Sequence, residues 1–148
     1  MKPLPHLYDV QLKAGATGYA HLDSVGRRTL ATAPPCEFGG PGDAWSPEHL
    51  LLASVEACFL FTFREVARAS KLEFVNMNVH AEGTVDRQAG VTKFTDIVLR
   101  PRLTFASGVD RAKVAAVVAK TQKSCLVSAT LATPVRVETE IVENEVAA

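Results

Sequence analysis

Three cysteines, Cys36, Cys58 and Cys125, are the side chains of this sequence best suited to redox or nucleophilic chemistry. They lie far apart in the sequence and none belongs to a CxxC pair, so the spacing indicates neither a structural zinc site nor a disulfide framework. In a reducing cytosol a free cysteine is most often a small, buried hydrophobic side chain. Each thiol therefore needs a local reason to be reactive.

Cys58 and Cys125 differ in their sequence surroundings. Cys58 lies in a strongly apolar segment, E-A-C-F, and apolar surroundings raise the pKa of a thiol. It would need a cation or a hydrogen-bond donor from elsewhere in the chain to react. Cys125 follows Lys120 and Lys123 and opens a short predicted helix, and both features favour a thiolate. Local physics alone favours Cys125 as the nucleophile, while a purely structural role stays open for both cysteines.

Two carboxylates precede Cys58. Glu48 comes ten residues earlier, which on one helix is about 15 Å along the axis. A shared role for Glu48 and Cys58 therefore requires a second subunit or a chain that crosses the helix end; the alternative is a charge that stabilises the helix N-terminus. Glu56 is embedded in the apolar segment, where an unpaired carboxylate is costly, so we expect a structural ion pair or, alternatively, a carboxylate facing a cavity.

Composition and motifs exclude several classes of function. Sixteen basic and sixteen acidic residues leave no net charge and no strongly basic window, so neither nucleic acid nor an anionic membrane is an expected partner. The four histidines lack metal-ligand spacing, and no nucleophile elbow or phosphate-binding glycine loop is present, so no metal or cofactor is expected. The first ten residues lack the apolar core of a secretory signal, which predicts a cytoplasmic protein.

The elements that position these side chains follow from local patterns. Residues 6–33 indicate short strands separated by turns at glycines, and the Pro- and Gly-rich segment 34–46 predicts a loop. Ser46 suits an N-cap and Pro47 a first helical position, so a long helix is predicted to run from there to Ser70. Its first half is apolar nearly all round, which is typical of a central helix covered on several sides.

The second half of the chain predicts a hairpin, two helices and a strand. Apolar and polar residues alternate over 75–105 on both sides of a turn at Asp86–Gly90. Pro101 predicts that the second hairpin strand is an edge strand or contains a bulge. The helices are expected over Asp110–Lys123 and from Ser124 to about Leu131, and the strand over Val135–Ile141. This order predicts one α+β domain over residues 1–148, without the βαβ rhythm of a doubly wound sheet.

Two segments of the sequence, taken together, point to a known family. The first, FGGPGDAWSPEHLLLASVEACF, is similar to a Gly-rich loop, a Pro-Glu pair and a helix with a cysteine ten residues after the glutamate. The second, KSCLVSATL, is similar to a second cysteine followed by a hydrophobic residue and a serine. In this order and separation the two segments resemble the OsmC/Ohr family of organic hydroperoxide reductases, over roughly residues 15–142.

The resemblance implies an OsmC-like fold, in which a long central helix packs on antiparallel sheets within an intertwined homodimer whose active sites lie at the subunit interface. By similarity, Cys58 is the peroxidatic thiol that becomes a sulfenic acid, and Cys125 is the resolving thiol that forms a disulfide with it. Glu48 matches the carboxylate that orients an activating arginine. The implied partners are a hydroperoxide and a dithiol reductant such as a lipoylated protein. This ranking of the thiols reverses the local one.

The sequence departs from the family pattern at the activating arginine. The two branches of the family place it where this chain has Ala20 and Phe38. Three other arginines are candidate substitutes, although none matches a motif position: Arg27, Arg28 and Arg64. An alternative function is therefore an OsmC-like ligand-binding dimer with slow or no peroxidase turnover, and a purely structural dimer is a third. Cys36, near Phe38, has no family counterpart and is either incidental or a third thiol near the site.

Overall fold

The computed structural model describes residues 2–144. In that range the elements are β1 Gln11–Ala14, β2 Ala20–Asp23, β3 Leu30–Thr32, a 3₁₀ turn Cys36–Phe38, α1 Pro47–Ala69, β4 Asn76–Gln88, β5 Val91–Ala106, α2 Arg111–Ser124, α3 Leu126–Thr130, β6 Val135–Val137 and β7 Glu140–Asn144. Contacts divide the chain into two compact units after Leu51, with α1 crossing the division. The α+β class is confirmed, and a single domain over residues 1–148 stays a prediction. None of the described helices is long and apolar enough to cross a membrane.

The first unit is built on a three-stranded antiparallel sheet in the order β1-β2-β3. Ala20 of β2 pairs with Thr32 of β3. The carbonyl oxygen of Trp45 accepts two hydrogen bonds from the end of β3, from the Thr32 hydroxyl over 2.6 Å and from the Ala33 N–H over 3.2 Å. These bonds hold the end of the Pro- and Gly-rich loop, and with it the first turn of α1, beside the sheet. The loop is tight at Gly40, where a Cβ would overlap the carbonyl oxygen of Pro34.

The predicted start of α1 is confirmed. Ser46 is fully buried, and its hydroxyl accepts the His49 N–H over 3.3 Å while its carbonyl accepts the Leu50 N–H over 2.9 Å. The buried face of the helix is apolar and comprises Val55, Phe59, Phe63, Val66 and Ala67. Its opposite face is exposed at Ala57 and Phe61, so one chain by itself does not cover the helix on several sides.

The predicted hairpin is confirmed in the second unit. β4 and β5 pair antiparallel along their lengths, with a bulge between Thr84 and Val85. Part of α1 packs on this hairpin region, since the rings of Phe63 and Phe74 meet edge to face with centroids 5.2 Å apart. At Gly83 a Cβ would crowd Leu52 of α1 and the ring of Phe94 on β5, so the absence of a side chain there permits close packing.

The prediction that Pro101 marks an edge strand or a bulge is wrong. β5 is central, with β4 on one side and both β6 and β7 on the other. β6 pairs with Ile97–Leu99 and β7 with Arg102–Ala106. Pro101 lies between these two stretches, so a residue without an N–H occupies the position at which β5 changes neighbours.

The single last strand predicted over Val135–Ile141 is also wrong, because two strands, β6 and β7, occupy this region. The Glu138 N–H between them donates to the Leu99 carbonyl over 2.8 Å. Both strands run parallel to β5, because α2 and α3 carry the chain back along it before β6 begins. The second sheet is therefore mixed, and the antiparallel expectation holds for the first sheet and the hairpin only. The two predicted helices are confirmed, with Asp110 capping α2.

Candidate active site

Cys58 lies on α1 and is half-buried rather than enclosed by apolar side chains. The backbone N–H of Val127, in α3, donates to its Sγ over 3.5 Å. The hydroxyl of Thr62, one turn further along α1, lies 4.0 Å from the same sulfur. The hydrogen-bond donor that the sequence argument required from elsewhere in the chain is thus a backbone amide of α3.

Cys125 is the residue between α2 and α3, and only 1% of its surface is exposed. Its backbone is extended, with φ −70° and ψ 107°, and it is the N-cap residue of α3. The expectation that this position favours its thiolate is wrong, because burial outweighs the hydrogen bonds from Ser128 and raises the pKa of Cys125. Its Sγ accepts a hydrogen bond from the Ser128 hydroxyl over 3.2 Å.

The two thiols differ in how readily they ionise. Burial opposes ionisation of Cys58, but hydrogen bonds outweigh burial and hold the pKa of this thiol below its ordinary value. The donors are the backbone N–H groups of Leu126 and Val127, the Thr62 hydroxyl and the Cys125 thiol. Burial raises the pKa of Cys125, and the bond that its thiol gives to Cys58 adds to this increase. Of the two thiols, Cys58 is therefore the one that ionises first.

Glu48 lies in the first turn of α1, and Cys58 lies ten residues later on the same helix. The Oε2 atom of Glu48 is shielded from water and has no hydrogen-bond partner among the described residues. Glu48, Ala20 and Phe38 line one cavity within the first unit. The two positions at which the resemblance implies an activating arginine therefore border the same space as the carboxylate.

The expected ion pair of Glu56 is wrong for the part of the chain that the structure describes. Its Oε1 accepts the backbone N–H of Ala81 over 2.7 Å. Ala81 belongs to β4, which has a neighbouring strand on one side only. The carboxylate thus provides an acceptor to a strand at the edge of the sheet, where a backbone donor has no ladder partner.

Cys36 is exposed on the 3₁₀ turn of the first unit, and its Sγ lies against Gly42, where a Cβ would overlap it. Arg27 donates to the Val25 carbonyl within its own turn, and Arg64 lies over the Phe61 ring at 5.5 Å. Within residues 2–144, no three His, Cys, Asp or Glu side chains come together in a way that could hold a metal ion.

Sequence reasoning missed four groups that contact the thiols. Leu126 and Val127 act through their backbone N–H groups, which leave no signal in a residue type. Thr62 stands four residues after Cys58 and Ser128 three residues after Cys125, and both spacings place side chains on the same face of a helix or turn. A search for hydroxyl residues at those spacings would have found both.

Comparison with known proteins places the chain in a family. A family model described as OsmC-like protein matches residues 40–140, which is more than half of the chain. The chain belongs to the OsmC-like protein family. YmaD, an uncharacterized protein of Bacillus subtilis (strain 168), is 30% identical over 97 residues, which make up 64% of this chain. The match covers 65% of YmaD, slightly less than two thirds of its length.

Solved structures of the OsmC-like family share this fold. One from Legionella pneumophila, described as an organic hydroperoxide resistance protein OsmC and predicted redox protein, is 26% identical. The similarity covers 93% of this chain and 99% of that chain, with a TM-score of 0.73. An OsmC-like protein from Mycoplasma pneumoniae is 17% identical, covers 94% of this chain and 99% of its own, and has a TM-score of 0.80. The OsmC-like fold is thereby confirmed, and the family includes proteins named for resistance to organic hydroperoxides.

Proposed function

We propose that this chain is a thiol-dependent peroxidase that reduces organic hydroperoxides through Cys58 and Cys125. The observation that carries the proposal is the hydrogen bond of 3.5 Å that the Val127 N–H, two residues after Cys125, donates to the Cys58 Sγ, because it joins the neighbourhoods of the two cysteines. Hydrogen bonds lower the pKa of Cys58, and burial raises that of Cys125. A reactive thiolate next to a second thiol is the arrangement that peroxide reduction through a disulfide requires.

The proposed reaction has three steps. The Cys58 thiolate attacks the terminal oxygen of the hydroperoxide; an S–O bond forms, the O–O bond breaks, and the alkoxide leaves and takes up a proton to become the alcohol. The Cys125 thiol, deprotonated as it attacks, then displaces hydroxide from the Cys58 sulfenic acid, which forms the disulfide and one water. A dithiol reductant returns both cysteines to thiols and is oxidised to its own disulfide.

Backbone donors at Cys58 support this mechanism in a chain with Ala20 and Phe38 at the family's arginine positions. The N–H groups of Leu126 and Val127 hydrogen-bond to the sulfur and favour its charged form. Within the proposed mechanism they take over part of the role of an activating cation. Glu48 is proposed to orient a positively charged group, in keeping with its family counterpart.

The protein is also proposed to act as a homodimer. A single copy leaves large apolar side chains uncovered near its N-terminus, with Leu7 exposed to 95% and Tyr8 to 86%. Phe61, on the outer face of α1, is 59% exposed beside Ala57. Uncovered apolar surface of this kind marks an interaction site, and the family fold suggests a second copy of the chain as its occupant.

The test is peroxide titration of the reduced protein. Cumene hydroperoxide and hydrogen peroxide are added in turn, free thiols are counted and the products are mapped by mass spectrometry. The wild type is expected to form a Cys58–Cys125 disulfide, and Cys125→Ser to accumulate sulfenic acid at Cys58. Cys58→Ser is expected to be inert, whereas Cys36→Ser, which removes the exposed third thiol, is expected to behave as the wild type.

Two outcomes would count against the peroxidase. Thiols that stay reduced under excess hydroperoxide would leave the ligand-binding alternative, which the apolar cavity beside Glu48 favours. Oxidation that persists in Cys58→Ser but disappears in Cys36→Ser would show that Cys36, and not Cys58, is the thiol that reacts with the peroxide. Preference for the organic over the inorganic peroxide would identify the substrate class.

A further inference from the structure

Thr62 lies one turn after Cys58 on α1, and its hydroxyl is turned toward the sulfur. A threonine inside a helix commonly donates its hydroxyl to the carbonyl four residues earlier, as Thr121 of α2 does to Val117 over 2.8 Å. The Thr62 hydroxyl does not follow this pattern. Among the described residues, its partner is the Sγ of Cys58, 4.0 Å from Oγ1.

The direction of this hydrogen bond depends on the charge of the sulfur. In the neutral state either the Cys58 thiol or the Thr62 hydroxyl can donate. A thiolate has no proton, so the hydroxyl must donate to it, and a hydrogen bond to a charged acceptor is the stronger kind. The contact therefore stabilises the charged sulfur more than the neutral one.

The other donors to this sulfur come from one short segment, residues 125–127. They are the Cys125 thiol and the N–H groups of Leu126 and Val127. In the proposed reaction Cys125 forms a disulfide with Cys58, so the contacts of this segment with the sulfur change in every cycle. Thr62 belongs to the same helix as Cys58. The position of its hydroxyl relative to the sulfur therefore does not depend on what residues 125–127 do.

We propose that Thr62 is a positioning residue of the peroxidase, whose hydroxyl donates to the Cys58 sulfur and keeps it ready to attack the peroxide as a thiolate. This inference rests on the proposed function, in which Cys58 is the peroxidatic thiol. Thr62 acts through Cys58 and forms no bond to the substrate. Its loss should therefore change the pH at which Cys58 becomes reactive, and leave the reaction of the thiolate itself intact.

The test compares the wild type with Thr62→Val, which has nearly the same shape and lacks only the hydroxyl. The reduced full-length proteins are alkylated with iodoacetamide at increasing pH, and labelling of Cys58 is followed by mass spectrometry. The midpoint of this profile is expected to rise by about half a pH unit in Thr62→Val, the effect of one weak hydrogen bond.

The rate of reaction with cumene hydroperoxide is measured over the same pH series. At a pH below both midpoints, Thr62→Val is expected to react about threefold more slowly than the wild type, because its thiolate fraction is smaller by that factor. At a pH above both midpoints the two rates should become equal. A role of Thr62 in packing alone would instead lower the rate by the same factor at every pH.

Three further variants serve as controls. Thr62→Ser keeps the hydroxyl and is expected to restore most of the wild-type profile, whereas Thr62→Ala lacks it and should show the same shift as Thr62→Val. Thr95→Val is the matched control, because it makes the same substitution in the same unit, at a hydroxyl that donates to the Thr84 carbonyl over 3.3 Å and not to a thiol. It is expected to keep the wild-type profile.

An alkylation midpoint that is unchanged in both Thr62→Val and Thr62→Ala would overturn the proposal. The same holds for an equal shift in Thr95→Val, or for a Thr62→Ser variant that behaves as Thr62→Val does. Alkylation requires no peroxide turnover. A wild type that is inert to peroxide would therefore refute the proposed peroxidase, while the alkylation profiles would still decide whether Thr62 donates to the thiolate.

Discussion

Replacing Glu56 tests how a helix carboxylate stabilises the edge of the sheet. Its Oε1 accepts the Ala81 N–H at 2.7 Å, and a hydrogen bond to a charged group contributes about 1.5–3 kcal/mol net. Glu56 is only partly buried, so in its absence water can partly satisfy the Ala81 N–H. We therefore expect Glu56→Met to lower the free energy of unfolding by about 1.5 kcal/mol. Glu56→Gln keeps a neutral acceptor, whose hydrogen bond is about half as strong as that of the carboxylate. It should lower the free energy of unfolding by about 0.7 kcal/mol.

The assay combines urea unfolding at one fixed protein concentration with hydrogen exchange at single amides. Exchange of the Ala81 amide is expected to accelerate in the order wild type, Glu56→Gln, Glu56→Met. The Ala112 amide is the internal control, since it donates to the Asp110 carboxylate over 3.0 Å in the same unit and should not change. Equal stability of the Gln and Met variants, or an unchanged Ala81 amide in Glu56→Met, would refute the reasoning.

Two further predictions concern the thiols and the assembly. Hydrogen bonds lower the pKa of Cys58, and burial raises that of Cys125. In a series of iodoacetamide reactions at increasing pH, mapped by mass spectrometry, Cys58 should therefore be labelled first and Cys125 only at higher pH. Labelling of Cys125 first would contradict the assignment of the thiolate. If a second copy covers Leu7, Tyr8 and Phe61, the midpoint of thermal unfolding should rise with protein concentration. Sedimentation should then give twice the mass of one chain. An unfolding midpoint independent of concentration, together with the mass of one chain, would rule the dimer out.

Local rules predicted much of the fold. The cap at Ser46, the hairpin and the helix predicted over Asp110–Lys123 each depend on residues close together in the sequence, and each was found close to its predicted place. Pro101 shows the limit of such rules: proline disfavours a central strand only where its missing N–H would face a neighbour. That conflict is absent here, because β6 pairs with β5 before Pro101 and β7 pairs with it after Pro101. No local pattern reveals such an arrangement.

The hydrogen bonds of Cys58 and Glu56 join groups that are distant in sequence. Val127, whose N–H reaches the sulfur, is 69 residues away, and Ala81, which bonds to Glu56, is 25 residues from it. The local surroundings of Cys125 suggested a reactive thiol, whereas burial at the junction of α2 and α3 raises its pKa. Hydrogen bonds lower the pKa of Cys58 and burial raises that of Cys125, and neither effect can be inferred from the neighbouring residues alone.

The division of β5 at Pro101 gives the last part of the chain two separate attachments. β6 pairs only with Ile97–Leu99, and β7 only with Arg102–Ala106, where Glu143 also pairs with Arg111 of α2. Because these pairings share no residue of β5, β7 can detach without breaking any β6 ladder bond. The two strands therefore form separate opening units, and an insertion between them has a natural place after Thr139, beyond the bond that the Glu138 N–H gives to the Leu99 carbonyl.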